Sequence, residues 1–136
     1  MWGANDPDCR KPMVWDEFTY VDETHNPDQS THSPDPVQFD HDLFRWYRKL
    51  ISIRKEYEVL RKGSFAALKM DDVNRLYVYE RAIGNDKIVV ALNVSDKPVE
   101  FNHSLGKKET WINLLNNKSF SGKEILPAWG VGIYTK

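Results

Sequence analysis

The chain has 136 residues and one cysteine, Cys9, so it can form neither an internal disulfide nor a CxxC metal site. It has no apolar run near the ~20 residues that a membrane helix needs. Charge of one sign is missing too. Nineteen Lys and Arg stand against 20 Asp and Glu, for a net charge of −1. That balance gives no electrostatic reason to expect nucleic acid or an anionic membrane as partner. The four histidines, His25, His32, His41 and His103, lack a metal-ligand spacing such as HxxxH, so no metal and no other cofactor is expected. The first residues hold no basic segment followed by an apolar one, and no signal peptide is expected. Cys9 lies between Asp8 and Arg10 with no histidine near it in sequence, and it reads as a loop residue rather than a reactive thiol.

What is present is ordinary for one globular domain with a modest core: 40% hydrophobic and 29% charged residues. The chain divides into three unlike parts. Residues 1–39 carry five of the seven prolines (Pro7, Pro12, Pro27, Pro34 and Pro36) and read as irregular loop. A loop this long is uncommon in a compact domain unless it is functional or leans on another body. Residues 40–62 read as one amphipathic helix capped by Asp40. Leu43, Trp46, Tyr47, Leu50, Ile53, Arg54 and Tyr57 recur at steps of three and four and share a face. Asp40 and Asp42 suit the helix start, and Gly63 suits its stop.

Residues 63–136 change period. "RLYVYERAI" (75–83) and "KIVVALNVS" (87–95) are rich in β-formers and flank "GND", a hairpin signal with a three-residue loop. Further strands are expected at 64–69, 98–102, 110–115, 123–126 and 130–135. Short strands separated by turn residues predict a mainly β fold, an antiparallel β-sandwich. A helix face as apolar as that of residues 43–57 must be covered. Left open, it invites self-association of the chain, or folding of the helix down onto the sandwich.

With the three parts in order, the chain resembles the C-terminal portion of an α-amylase-family glycoside hydrolase of the neopullulanase and cyclomaltodextrinase kind. Three blocks carry the resemblance: "GANDPDCRKPMVWD" (3–16), "LFRWYRKLISIRKEYEVLRKGSF" (43–65) and "LYVYERAIGNDKIVVALNVSDKP" (76–98). It implies a (β/α)8 barrel followed by a β-sandwich. Residues 1–39 would then be the segment after barrel strand eight, residues 40–62 the last barrel helix and residues 63–136 the C-terminal domain. The resemblance also implies that Asp6 and Arg10 contact glucose units of an α-glucan. A carboxylate accepts from sugar hydroxyls and a guanidinium donates in a planar fork, so the residue types suit the task.

Retaining glycoside cleavage needs two carboxyl groups about 5 Å apart, one nucleophile and one acid/base. The resemblance places these on barrel loops outside this sequence. Asp6, Asp8 and Asp16 share one loop, which offers no scaffold to fix such a separation, so this chain alone is expected to be inactive. The sandwich is expected to be structural. Its alternative role is a non-catalytic glucan-binding module, for which Trp111 and Trp129 are the candidate sugar platforms. Strand tryptophans more often pack in a core, as Trp46 is expected to do on the helix. The tripeptides "NVS", "NHS" and "NKS" at Asn93, Asn102 and Asn117 match the N-glycosylation pattern and read as accidental.

Overall fold

A computed structural model of the chain describes residues 13–26, 28–104 and 110–136. It falls into two compact units, Met1–Arg48 and Lys49–Lys136.

In the first unit the segment expected to be irregular contains a small antiparallel hairpin. Strand β1 (Glu23–His25) pairs with β2 (Thr31–Asp35), Glu23 opposite Asp35 and His25 opposite Thr31. Its turn is built by polar side chains. The Gln29 N–H donates to Asn26 O at 2.9 Å, and Gln29 itself takes φ 67°. The Asp28 carboxylate accepts from the Ser30 N–H at 2.9 Å and the Ser30 hydroxyl at 2.6 Å. These two bonds lower the Asp28 pKa. Because the strands read "ETH" and "THSPD", no apolar alternation announced them.

Helix α1 (His41–Glu56) starts where the sequence placed it. Asp40 caps it, its carboxylate accepting from the Leu43 N–H at 2.8 Å. The helix stops earlier than expected. A second short helix, α2 (Val59–Lys62), follows after a break at Tyr57 and Glu58. Two arginines bridge the break, each donating to backbone carbonyls on its far side. Arg61 Nη1 donates to Arg54 O at 2.7 Å and to Lys55 O, while Arg54 Nη1 donates to Leu60 O at 2.6 Å.

The second unit is an antiparallel β-sandwich. Strands β3 (Ser64–Asp71), β4 (Leu76–Ile83), β5 (Asp86–Asn93), β10 (Val131–Thr135), β7 (Trp111–Asn113) and β8 (Lys118–Phe120) form one six-stranded sheet in that order. Strands β6 (Val99–Asn102) and β9 (Lys123–Leu126) form the other sheet. Strand β8 was not expected from the sequence; it is three residues long and two of them are exposed. The β4–β5 loop is Gly84–Asn85, one residue shorter than expected, since Ile83 already pairs with Asp86. Gly84 takes φ +56° at the first central position of this two-residue turn, where a primed hairpin turn calls for positive φ.

Core residues lie on both faces of the large sheet. Between the sheets pack Leu76, Val78, Val89, Ala91, Phe101, Trp111, Phe120, Leu126 and Tyr134. On the opposite face Ile88, Val90, Leu114 and Ile133 pack with Ile53 and Val59 of the helices, joined by Leu50, Tyr57 and Leu60. This explains "IVVA" in β5. Ile88, Val89, Val90 and Ala91 are all buried because each face of that strand is covered. Burial of each larger aliphatic side chain contributes about 1.5–3 kcal/mol.

Candidate functional site

The first unit holds a surface cavity of about 350 Å³ beside the loop of residues 15–20. Asp16, Phe18, Tyr20, Gln38, Phe39 and His41 are among its walls. The loop closes on itself: the Phe18 N–H donates to Trp15 O at 3.3 Å, and the Trp15 N–H donates to the Tyr20 hydroxyl at 2.7 Å. Because Asp40 caps α1, His41 stands in the first helical turn. Its Nε2 lies 3.1 Å from Asp16 Oδ1. Phe39 packs edge-on against His41, with ring centroids 5.0 Å apart, and against Phe44 at 5.2 Å. The Asp16–His41 pair was not legible in sequence, where 25 residues separate the two. Asp6 and Arg10, the residues expected to contact sugar, lie outside the described residues.

On the sandwich the two candidate platform tryptophans separate. Trp111 is buried on β7, 2% exposed, within the core between the sheets. Its ring meets that of His103 edge-on at 5.6 Å. A ring with no exposed face cannot stack a sugar, so the platform reading of Trp111 is corrected to a core role. Trp129 is 71% exposed. It occupies the turn Pro127–Gly130 between β9 and β10, and its backbone takes φ 55°, which is rare for a bulky residue. Trp46 also departs from expectation: it is 39% exposed on α1 rather than enclosed.

Asn93 anchors this end of the sandwich. Its amide donates to Lys97 O and to Pro127 O, each at 2.7 Å, and its Oδ1 accepts from the Ser95 N–H at 3.0 Å and the Ser95 hydroxyl at 2.7 Å. Asn93 is 2% exposed, so the buried amide serves packing and turn geometry. The next two residues each tie down a turn. Val94 N–H donates to Arg75 O at 2.9 Å, and Ser95 O accepts from the Trp129 N–H at 2.9 Å. At the first of these turns opens a cavity of about 220 Å³, with Asp71, Asp72, Arg75, Tyr77 and Val94 in its wall. Arg75 also has a left-handed backbone, at φ 55°. Asp71 accepts from Asn74 N–H and Nδ2, both at 2.9 Å, and lies 3.2 Å from Lys69 Nζ. These partners, Asn74 foremost, pull its pKa down to about 2. A carboxyl held that low is ionised at neutral pH and has no proton to donate.

A buried polar pair completes the interior. The Tyr134 hydroxyl donates to Glu124 Oε2 at 2.9 Å, and burial, followed by that bond, pushes the phenol pKa far up. Among the described residues no group of three or more His, Cys, Asp or Glu is placed to hold a metal ion.

An all-antiparallel sandwich with helices on the outer face of its large sheet, preceded by a loop and an amphipathic helix, defines the class: a C-terminal β-domain of amylase type. Residues 65–128 match the family described as Maltogenic Amylase, C-terminal domain. A cyclomaltodextrinase of Geobacillus thermopakistaniensis (strain MAS1) is 30% identical over 140 residues, covering 98% of this chain and 21% of that protein. Neopullulanase 2 of Thermoactinomyces vulgaris is 27% identical over 128 residues, covering 91% of this chain and 18% of that protein. The crystal structure of trehalulose synthase MutB from Pseudomonas mesoacidophila MX-45 superposes with a TM-score of 0.57 at 25% identity, over 68% of this chain and 17% of that one. Over residues 65–128 the chain carries a C-terminal domain of the maltogenic-amylase type, and along most of its length it is similar to cyclomaltodextrinases and neopullulanases. It spans about a fifth of the length of the curated relatives it matches.

Proposed function

We infer that this chain is the C-terminal part of an enzyme that hydrolyses α-linked glucans such as cyclodextrins, pullulan or maltooligosaccharides, and that its own role is structural. The carrying observation is that the likeness to a cyclomaltodextrinase extends over 98% of the chain, loop and helix included, while covering 21% of that relative. The reaction's carboxyl pair would come from a (β/α)8 barrel, the chain's partner. Helix α1 would be the last helix of that barrel. Its exposed Leu43, Phe44, Tyr47 and Ile51 fall within an arc of about 100° on the helix surface, and this arc is the surface the barrel would cover. Asp6 and Arg10 would hold glucose units on the rim of the cleft.

The test is turnover. Incubated with β-cyclodextrin, pullulan or maltotriose, the chain alone is expected to release no reducing sugar, and steady release by the purified chain would overturn the assignment. In an enzyme carrying this chain, Asp6→Ala and Arg10→Ala are expected to lower kcat/KM by at least about tenfold, or 1.4 kcal/mol. The second reading, a glucan-binding module, is favoured by the exposed ring of Trp129 on a tied-down turn.

A further inference from the structure

We propose that the end of the sandwich carrying Trp129 and the Arg75 cavity is a non-catalytic holding site for an α-1,4-glucan chain. The proposal takes its ligand class from the reading of the chain as part of an α-glucan hydrolase.

Three observations carry it. Trp129 is the first. A tryptophan placed 71% in solvent forgoes burial of a large apolar ring, and its φ of 55° adds backbone strain. A folded domain retains such a combination where the ring has a use, and the inference runs from the outlier to the function. Rigidity is the second. The ring rises from a turn fixed by Trp129 N–H to Ser95 O, Gly130 N–H to Pro127 O and Asn93 Nδ2 to Pro127 O, at 2.9, 2.9 and 2.7 Å. A Cβ on Gly130 would meet Pro127 at 2.7 Å, so the turn has no slack. A platform held this way loses little freedom when a sugar ring settles on it.

The third observation is chemical. Val94 and Ser95 are consecutive, and they tie the Arg75 turn and the Trp129 turn to one strand end. The cavity at the Arg75 turn, about 220 Å³, has room for one pyranose ring, and Asp72, Arg75 and Tyr77 are among its lining residues. Neither the Asp72 carboxylate nor the Arg75 guanidinium is engaged by another described residue. Donors and acceptors of this kind suit the vicinal hydroxyls of glucose, and a flat exposed ring suits the apolar face of the neighbouring unit. The opposite charges of Asp72 and Arg75 favour a neutral polyhydroxylated ligand over an ion of either sign. Exposure and solvation make weak, millimolar binding the expectation.

The experiment is a titration of the ¹⁵N-labelled chain with maltoheptaose, followed by the indole resonance of Trp129 and by the backbone amide resonances of Arg75, Tyr77 and Val94. A saturable shift is expected. Trp129→Gly, which suits the left-handed backbone and keeps the turn, should abolish it. Arg75→Ala should weaken binding by at least about threefold, and cellohexaose should shift the resonance less than maltoheptaose does. An unmoved Trp129 resonance at saturating maltoheptaose overturns the proposal, as do amide shifts at the cavity that survive undiminished in Trp129→Gly. Equal response to cellohexaose overturns the α-glucan assignment. None of these outcomes bears on whether an enzyme carrying the chain hydrolyses α-glucans, which the turnover assay decides separately.

Discussion

Gly132 illustrates how much one missing methyl group can organise. It lies on β10 two residues before Tyr134, on the same face of the sheet. A Cβ built on Gly132 would stand 2.0 Å from the Tyr134 hydroxyl oxygen and 2.3 Å from the carbon that carries it. Tyr134 is fully buried, clusters with Phe101 at 5.2 Å and Phe120 at 4.3 Å, and reaches Glu124 with its hydroxyl. Gly132→Ala therefore forces the ring out of this cluster and breaks the bond to Glu124. We expect a loss of about 1–3 kcal/mol, the range for overpacking a core, read from urea unfolding. An unchanged midpoint would mean that the ring has another place to go. None of this was legible in "VGIYT", because a glycine in a strand says only that something comes close, not what.

At the scale of elements, the β3–β4 hairpin couples stability to acid. The Asp71 pKa falls from the ordinary carboxylate range to about 2 in the folded chain, through Asn74 first and Lys69 after it. The folded value lies below the unfolded one, so the stabilisation is complete above about pH 4 and disappears as pH drops toward about 2. Glu58 beside Lys62 and Glu100 beside Lys123 are lowered too and act in the same sense. Asp71→Asn should flatten the dependence of unfolding free energy on pH within that window, and urea unfolding at a series of pH values measures it. A wild-type slope in the variant would assign the acid sensitivity to other groups. The position of this hairpin was readable from the sequence, as were β5, β6, β9 and β10, because apolar residues and turn formers alternate there. The β1–β2 hairpin was not readable. Its strands are polar and its turn is held by Asp28 and Ser30 rather than by a buried face. The break between α1 and α2 escaped notice for a related reason. "KEYEVLR" has helical periodicity, and what ends α1 is the exchange of bonds between Arg54 and Leu60 O and between Arg61 and Arg54 O.

At the scale of the whole molecule, helix α1 divides its apolar residues between a covered and an open side. Its Leu50 and Ile53 belong to the core against the sandwich, while Leu43, Phe44, Tyr47 and Ile51 remain exposed. Substituting Phe44→Asp and Ile51→Glu together should cost the isolated chain no more than about 1 kcal/mol per site, because each side chain is already about half exposed. It should also reduce self-association in sedimentation velocity. A drop in stability like that of a core substitution would show that the arc is covered within the chain itself. The same pair of substitutions in an enzyme carrying the chain is expected to be severely destabilising, which separates a surface that is merely exposed from one that is shared.

Local sequence was enough to place the Asp40 cap and most of the strands and to carry the likeness to amylase-type C-terminal domains. These follow from local propensity, from periodicity and from blocks of residues that stay together along the chain. Tertiary structure alone decided the fate of the tryptophans. Trp111 sits between two sheets whose pairing joins β6 to β9 across more than twenty residues, while Trp129 occupies a turn that Ser95 and Asn93 hold open to solvent. Both are tryptophans in a β-domain, and nothing local distinguishes them. What separates them is which backbone atoms, far off in sequence, come close enough to cover one ring and to brace the other.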